Sequence, residues 1–180
     1  MSYFNRFPLM VYDIKGDGDY KLATNILKRV KLRSGIQSGL FLYDSYDVKY
    51  GEKPEDIAMK WFGSAQLHWI ILLTNNITDR YHQWPMTQPA LETFLTDKYG
   101  AGNEDAIHHY EAIKESGRTT SNGPNDYSHR VEVNSDHDNP TLVTNRDYEE
   151  RLQDKYRSIK LLDPIHLNQF IEEFDKLIGD

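Results

Sequence analysis

The feature that most constrains the fold is a pair of adjacent helical patterns divided by one glycine. Pro54 suits the first turn of a helix, where its missing N–H is not needed, and Gly63 ends that helix. Ser64 is placed to cap a second helix directly afterwards. The first helix has its apolar residues on one face, namely Ile57, Ala58, Trp61 and Phe62.

The second helix is apolar on two sides. One side is a stripe at helical spacing, and the opposite side is apolar as well: Leu67, Ile70, Ile71 and Thr74 on the first, Trp69, Leu72 and Leu73 on the second. A helix with this pattern is usually covered on both sides. We therefore expect it to lie inside the protein.

Shorter patterns flank the helix pair and predict an α+β fold. Before it, β-compatible residues from Phe41 to Val48 lead into a turn at residues 49–52. After it, the patterns predict a helix between Thr87 and Gly100, strands over 107–113 and 127–133, a helix from Asn145, a strand over 159–162 and a last helix from Pro164.

The first 39 residues form an irregular N-terminal arm with little core of its own. A turn is predicted at Gly16 to Asp19, and a short half-buried strand is predicted over Val30 to Arg33. We expect the arm, residues 1–39, to gain order by lying on the rest of the chain or on a partner. Residues 40–86 and 87–180 then form a central block and a C-terminal mixed α/β half.

Composition excludes several classes of protein. The 21 basic and 28 acidic residues give a formal charge of −7, which does not favour nucleic-acid binding. The absence of cysteine excludes disulfides, thiolate metal sites and cysteine nucleophiles. A mean hydropathy of −0.71 without a long apolar run predicts no membrane span, and the first residues lack a signal-peptide pattern, so synthesis in the cytoplasm is expected.

Residue types and their spacing argue against the candidate catalytic and metal sites in the sequence. A calcium loop starting at Asp13 would place Lys15 and Thr24 where carboxylate ligands are needed. His108 and His109 would point to opposite faces of a strand, so they are not expected to bind one ion with Glu111. The acidic pairs, Glu149 with Glu150 and Glu172 with Glu173, are expected on solvated helix faces. No catalytic residue, cofactor site or small-molecule substrate is predicted.

A basic run near the end of the arm is the densest positive segment of the sequence. It consists of Lys28, Arg29, Lys31 and Arg33. A solvated edge strand is the first interpretation, the acidic surface of a partner is the second, and DNA is the least favoured.

The central block resembles a LysM module. The resemblance rests on the segment from Tyr46 to Ala58 with its Gly51-Glu52 turn, on Trp61-Phe62-Gly63, and on Leu67, Trp69 and Asn75-Asn76-Ile77. It implies a strand, two helices and an Asn-rich turn, and it leaves peptidoglycan binding as an alternative function. The second strand of such a module does not follow the turn here, so it must come from elsewhere or be missing.

A wider resemblance covers nearly the whole chain. The motifs that carry it occur in order: Tyr3 to Pro8, Ala23 to Arg29, Leu67-His68-Trp69, Trp84-Pro85, Lys98-Tyr99-Gly100 and Val143 to Glu149. Together they resemble the baseplate wedge protein 53 family of T-even-type contractile phages. The resemblance implies a structural protein of the virion tail baseplate, assembled in the host cytoplasm, that joins neighbouring wedges around the hub and has no catalytic activity.

Bulky, mostly aromatic side chains after the Asn-rich turn are the candidate binding residues. Tyr81, His82, Trp84 and Pro85 would fill a shallow sugar groove and would serve as anchors for a protein surface. Internal packing of Trp84 is the alternative. Three further residues complete the predicted set of partner contacts: Trp69, Lys28 and Arg29.

Overall fold

A computed structural model describes residues 3–31, 42–115, 117 and 120–179. It has the predicted mixed α+β fold. Its strands are β1 (Leu9–Tyr12), β2 (Lys21–Thr24), β3 (Tyr43–Asp47), β4 (Ile107–Lys114), β5 (His129–Val133), β6 (Thr141–Thr144) and β7 (Ser158–Leu162). Its α-helices are α1 (Pro54–Phe62), α2 (His68–Thr74), α3 (Gln88–Tyr99), α4 (Asn145–Arg157) and α5 (Leu167–Gly179), and short 3₁₀ helices lie at Tyr3–Arg6, Ala65–Leu67 and Pro164–His166.

The chain divides into two compact units. The first joins residues 1–85 to residues 156–180, and the second is formed by residues 86–155. Two antiparallel ribbons, β1–β2 and β3–β7, belong to the first unit. The second unit has an antiparallel sheet in the order β5-β4-β6.

The helix boundaries follow the proline and glycine signals. Helix α1 starts at Pro54, the Lys53 N–H donates to Asp56 Oδ2 at 3.1 Å, and Gly63 ends the helix with a positive φ of 75°. The second helix begins differently from the prediction, because a 3₁₀ turn comes first and the Ser64 side chain makes no capping hydrogen bond. The last helix likewise opens with a 3₁₀ turn at Pro164.

Strand β3 pairs with a strand from close to the other end of the chain. Tyr46 lies opposite Ile159 in the antiparallel β3–β7 register. The end of α2 fixes β7 from one side, since Asn75 Nδ2 donates to the Lys160 carbonyl at 2.8 Å and Asn75 Oδ1 accepts from the Lys160 N–H at 2.8 Å. The amide side chain thus takes the place of a neighbouring strand at that residue.

Helix α2 lies between two apolar clusters, as its two-sided pattern predicted. Ile71 belongs to a cluster with buried residues of α1, of β7 and of the segments after β3 and α2: Ile57, Ala58, Ile159, Leu161, Val48 and Trp84. Trp69 and Ile70 belong to another, with Phe7, Leu162, Phe174 and Ile178. Helix α2 therefore contributes buried side chains to both clusters.

The N-terminal arm forms the β1–β2 ribbon. The bend between its strands is bound by Asp13, whose carboxylate accepts from the N–H groups of Lys15, Gly16 and Gly18. The predicted strand over 30–33 is wrong at residues 30 and 31, while Leu32 and Arg33 lie outside the described residues. Val30 is instead half-buried against the cluster of Phe7 and Trp69, and a single side chain packed in this way does not need a paired strand.

The second unit corrects two sequence expectations about polar residues. Glu149 is buried rather than solvated, because Lys98 Nζ and Tyr99 Oη donate to its Oε1 at 2.6 and 2.7 Å. His108 and His109 do not diverge, since an irregularity of the β4–β6 register between residues 107 and 109 brings their Nδ1 atoms within 2.7 Å. Within the ranges given above, no group of three or more potential ligands is arranged to hold a metal ion.

None of the helices described is both long and apolar enough to cross a bilayer.

Candidate interaction site

A groove of about 720 Å³ separates the N-terminal arm from helix α2 in the first unit. We call it the arm groove. The arm lines it with Tyr3, Phe4, Phe7 and residues 26–31, and the region around α2 lines it with Gln66, His68, Trp69, Leu72, Leu73 and residues 76–78. Its volume lies within the range of roughly 300–1,000 Å³ that is typical of ligand-binding clefts.

Aromatic rings hold the arm side of the groove in place. The centroid of the Tyr3 ring lies 4.9 Å from that of Phe7 and 5.4 Å from that of Trp69, which in turn lies 4.6 Å from Phe174. Arg6 donates two hydrogen bonds from Nη1 to the carboxylate oxygens of Asp175, at 2.7 and 2.5 Å. The base of the arm is therefore fixed to α5 and α2.

The groove is positive although the protein is acidic. Lys28, Arg29 and Lys31 line it, and no Asp or Glu is among the described residues of its lining. Lys28 Nζ donates to the Ile178 carbonyl at 3.4 Å, but none of the three cations forms an ion pair with a carboxylate in the described part of the chain. Burial raises the pKa of the Tyr3 hydroxyl, an effect that nearby Arg29 opposes.

Trp69 adds an unsatisfied donor to this groove. Its side chain is buried, and its Nε1 finds no hydrogen-bond acceptor among the residues described. A buried indole N–H usually has a partner, so this donor is an exception to the normal pattern.

The segment after α2 is a tightly bound turn next to the groove. Gln83 Oε1 accepts from the N–H groups of Thr78 and Asp79 at 2.8 and 2.9 Å. The Asp79 carboxylate accepts from the Tyr81 N–H and lies 2.6 Å from His82 Nδ1, and this hydrogen bonding lowers the pKa of Asp79. The Tyr81 side chain is 81% exposed on this fixed turn.

The structure separates the predicted binding residues into two groups. Trp84 is only 6% exposed, lies in the cluster of Ile71 and Leu161, and donates from Nε1 to the Glu52 carbonyl at 2.9 Å. This geometry agrees with the alternative interpretation, in which Trp84 packs internally. Trp69 is also buried, and Pro85 is half-buried, whereas the exposed predicted residues are Tyr81, His82 and Arg29, with Lys28 half-buried.

The β1–β2 ribbon carries apolar residues that the sequence analysis did not single out. Val11 lies opposite Leu22, and Leu9 lies two residues away on the same face of the ribbon. All three side chains are more than 60% exposed. The apolar run Leu9-Met-Val-Tyr12 before an Asp-Gly turn was the signal that could have predicted this strand.

Comparison with known proteins places the chain in a family. The family model described as base plate wedge protein 53 matches residues 14–177. A relative, baseplate wedge protein gp53 of Enterobacteria phage T4, is 30% identical over 66 residues, which is 36% of this chain and 34% of the relative. The alignment thus spans about a third of that relative's length. Since the family model matches most of the chain, the protein belongs to the base plate wedge protein 53 family.

Proposed function

We propose that this protein is a structural part of the phage tail baseplate that joins neighbouring wedges around the hub. The observation that carries this proposal is the bare apolar face of the β1–β2 ribbon. Leu9, Val11 and Leu22 are exposed there, and a contiguous exposed apolar surface is typical of a protein interaction site. Family membership supports the baseplate as the place of that interaction.

The partners in this proposal are other baseplate wedge proteins and the adjacent wedges. Assembly would take place in the host cytoplasm, and the finished protein would reside in the tail baseplate of the virion. The ribbon is well suited to such a role because its base is fixed by Tyr3, Phe7 and Arg6, while no helix among the described residues covers its strands. Neither nucleic acid, membrane nor catalysis enters the proposal.

Reconstitution tests the proposal. Wedges assembled from purified components with and without this protein are compared by electron microscopy, and the protein is expected to be required for wedges to join into rings. A matched reaction contains a Val11→Asp/Leu22→Asp variant, whose folding is checked by thermal melting. Rings that close equally well without the protein would overturn the proposal.

The pairing of β3 with β7 favours one alternative enough to test it. Strand β3 is followed by α1 and α2 and pairs with β7, which comes only after the second unit in the chain, and we propose that β7 is the second strand of a LysM-like arrangement. Such a module would bind peptidoglycan. A pull-down on purified peptidoglycan distinguishes this alternative, because the assembly role predicts no retention above that of an unrelated acidic protein of equal size.

A further inference from the structure

We propose that the arm groove binds an acidic segment of a partner protein, with apolar side chains of that segment inserted among the aromatic rings. The inference rests on the proposed function only in taking the chain to be an assembly protein. It concerns a surface different from the apolar face of the β1–β2 ribbon, and it specifies the chemistry of a partner.

Charge complementarity is the first argument. The whole chain has a formal charge of −7, yet the described residues that line the groove include Lys28, Arg29 and Lys31 and no acidic side chain. Residues 32–41, which follow Lys31 directly, contain no Asp or Glu, so their sequence supplies no counter-charge. Three clustered cations repel one another, and an acidic ligand would relieve that repulsion.

Exposed apolar side chains at the rim are the second argument. Ile26 and Leu27 are 66% and 83% exposed, and they stand beside the cations rather than in the core. Phe4 adds an exposed ring on the same side, and Leu72 and Leu73 line the opposite wall. A ligand that carried only negative charge would leave these side chains in water, so the expected segment combines acidic and apolar residues.

The unsatisfied Trp69 donor is a third, independent indication. Trp69 lines the groove, and its buried Nε1 has no acceptor among the residues that the structure describes. A bound carboxylate or backbone carbonyl is the kind of group that satisfies such a donor. These features favour a peptide over a single-stranded nucleic acid, since the net charge of the protein opposes a polyanion at long range.

Selection from a random peptide library measures directly which peptide sequences the protein prefers to bind. The full-length protein is the bait, and the same selection is run on an Arg29→Gln/Lys31→Gln variant. Peptides selected by the parent are expected to be enriched in Asp and Glu next to aromatic or aliphatic residues. The variant is expected to bind those peptides about tenfold more weakly, because two exposed ion pairs are lost.

Matched controls separate the groove from general surface effects. Lys15→Gln/Lys114→Gln removes the same charge at exposed lysines outside the groove, and it should leave binding within about twofold. Leu27→Ser should weaken binding, whereas Ile165→Ser, at an equally exposed position of 83% outside the groove, should not. These variants alter exposed side chains, so they should melt at the parental temperature.

Several outcomes would overturn the inference. These are no enrichment of peptides, selected peptides without acidic residues, equal binding by the groove and control variants, or displacement of the peptides by a short poly-dT oligonucleotide at lower concentration than by acidic peptide. Ring closure by wedges is not used as the readout. A protein that closes rings but selects no acidic peptide would refute only the groove, and the converse would refute only the wedge-joining function.

Discussion

The first unit contains two antiparallel ribbons of similar length that differ in what covers them. In the β3–β7 ribbon, Ile159, Leu161 and Leu162 are buried beneath helical residues. In the β1–β2 ribbon, Val11 and Leu22 are exposed. The same local architecture is thus part of the core at one place and bare at another.

This difference indicates which ribbon supports the fold and which is available to a partner. An isolated two-stranded ribbon is marginally stable in water, and packing against helices supplies what it lacks. Helices α1 and α2 give β3–β7 that packing, whereas β1–β2 is held at its base by the Tyr3 and Phe7 rings. The proposed contact with a partner would cover these apolar side chains from outside.

The largest expected effect comes from removing the indole that covers β7. Trp84→Ala should reduce the free energy of unfolding by about 3 to 5 kcal/mol, because it leaves a cavity beside Ile159 and Leu161 and removes the hydrogen bond to Glu52. Urea denaturation measures the change. Tyr81→Ala, on the exposed turn, is the control and should change stability by about 0.5 kcal/mol or less. Parental stability of the Trp84 variant would show that the indole is not part of this core.

Truncating a leucine to alanine should lower the free energy of unfolding much more in the β3–β7 ribbon than in the β1–β2 ribbon. Leu161 is 0% exposed and Leu22 is 71% exposed, so Leu161→Ala should cost about 2 to 5 kcal/mol and Leu22→Ala about 0.5 kcal/mol or less. Denaturation of both variants under the same conditions measures the contrast. Equal destabilisation would contradict the division into a core ribbon and a bare ribbon.

Acid should weaken the attachment of β3 to α1 through Glu52. Burial pushes the pKa of Glu52 up, but hydrogen bonds from Lys60, the Lys49 N–H and Tyr46 outweigh it and hold the pKa below its ordinary value of 4.5. The stabilisation is therefore complete above about pH 4.5 and is lost as the pH falls through the lower pKa of the folded state.

Removing the Glu52 charge tests this interpretation. Glu52→Gln should cost about 1 to 3 kcal/mol at neutral pH, since a charged acceptor for three donors is replaced by a neutral one. The stability difference from the parent should shrink when both are measured by denaturation at decreasing pH below 4.5. A difference that stayed constant through this range would contradict the proposed role of the carboxylate.

The smallest effect is expected for the ion pair of the bare ribbon. Asp19 Oδ2 lies 3.8 Å from Lys21 Nζ, and both side chains are exposed. Asp19→Asn should therefore change the free energy of unfolding by less than about 0.5 kcal/mol, and less still at high salt. A larger loss in a salt titration would show that this ribbon contributes to folding more than its exposure implies.

Local signals in the sequence predicted the helices well and the strand pairing poorly. Pro54, Gly63 and Gly100 act on their own turns, so the limits of α1 and α3 could be derived from them. The pairing of Tyr46 with Ile159 joins residues far apart in the sequence, and no local pattern encodes that choice of partner.

The candidate site was predictable only in part, for a related reason. The basic run indicated Lys28 and Arg29, but the sequence could not say that Trp69 and Leu73 lie across a groove from them. Aromatic character alone did not distinguish Trp84 from Tyr81, because burial is decided by distant residues such as Leu161. The register irregularity beside His109 could not be predicted either, because side chains were expected to alternate between the two faces of a regular strand.

The exposed face of β1–β2 is tested most directly by placing charge on it. Val11→Asp/Leu22→Asp is compared with Ile165→Asp, a substitution of the same kind at one exposed site of the first unit, and joining of purified wedges into rings is scored by electron microscopy. Both variants should melt within a few degrees of the parent, and only the ribbon variant should fail to join wedges. Parental ring closure by the folded ribbon variant would contradict the assignment of this face to assembly.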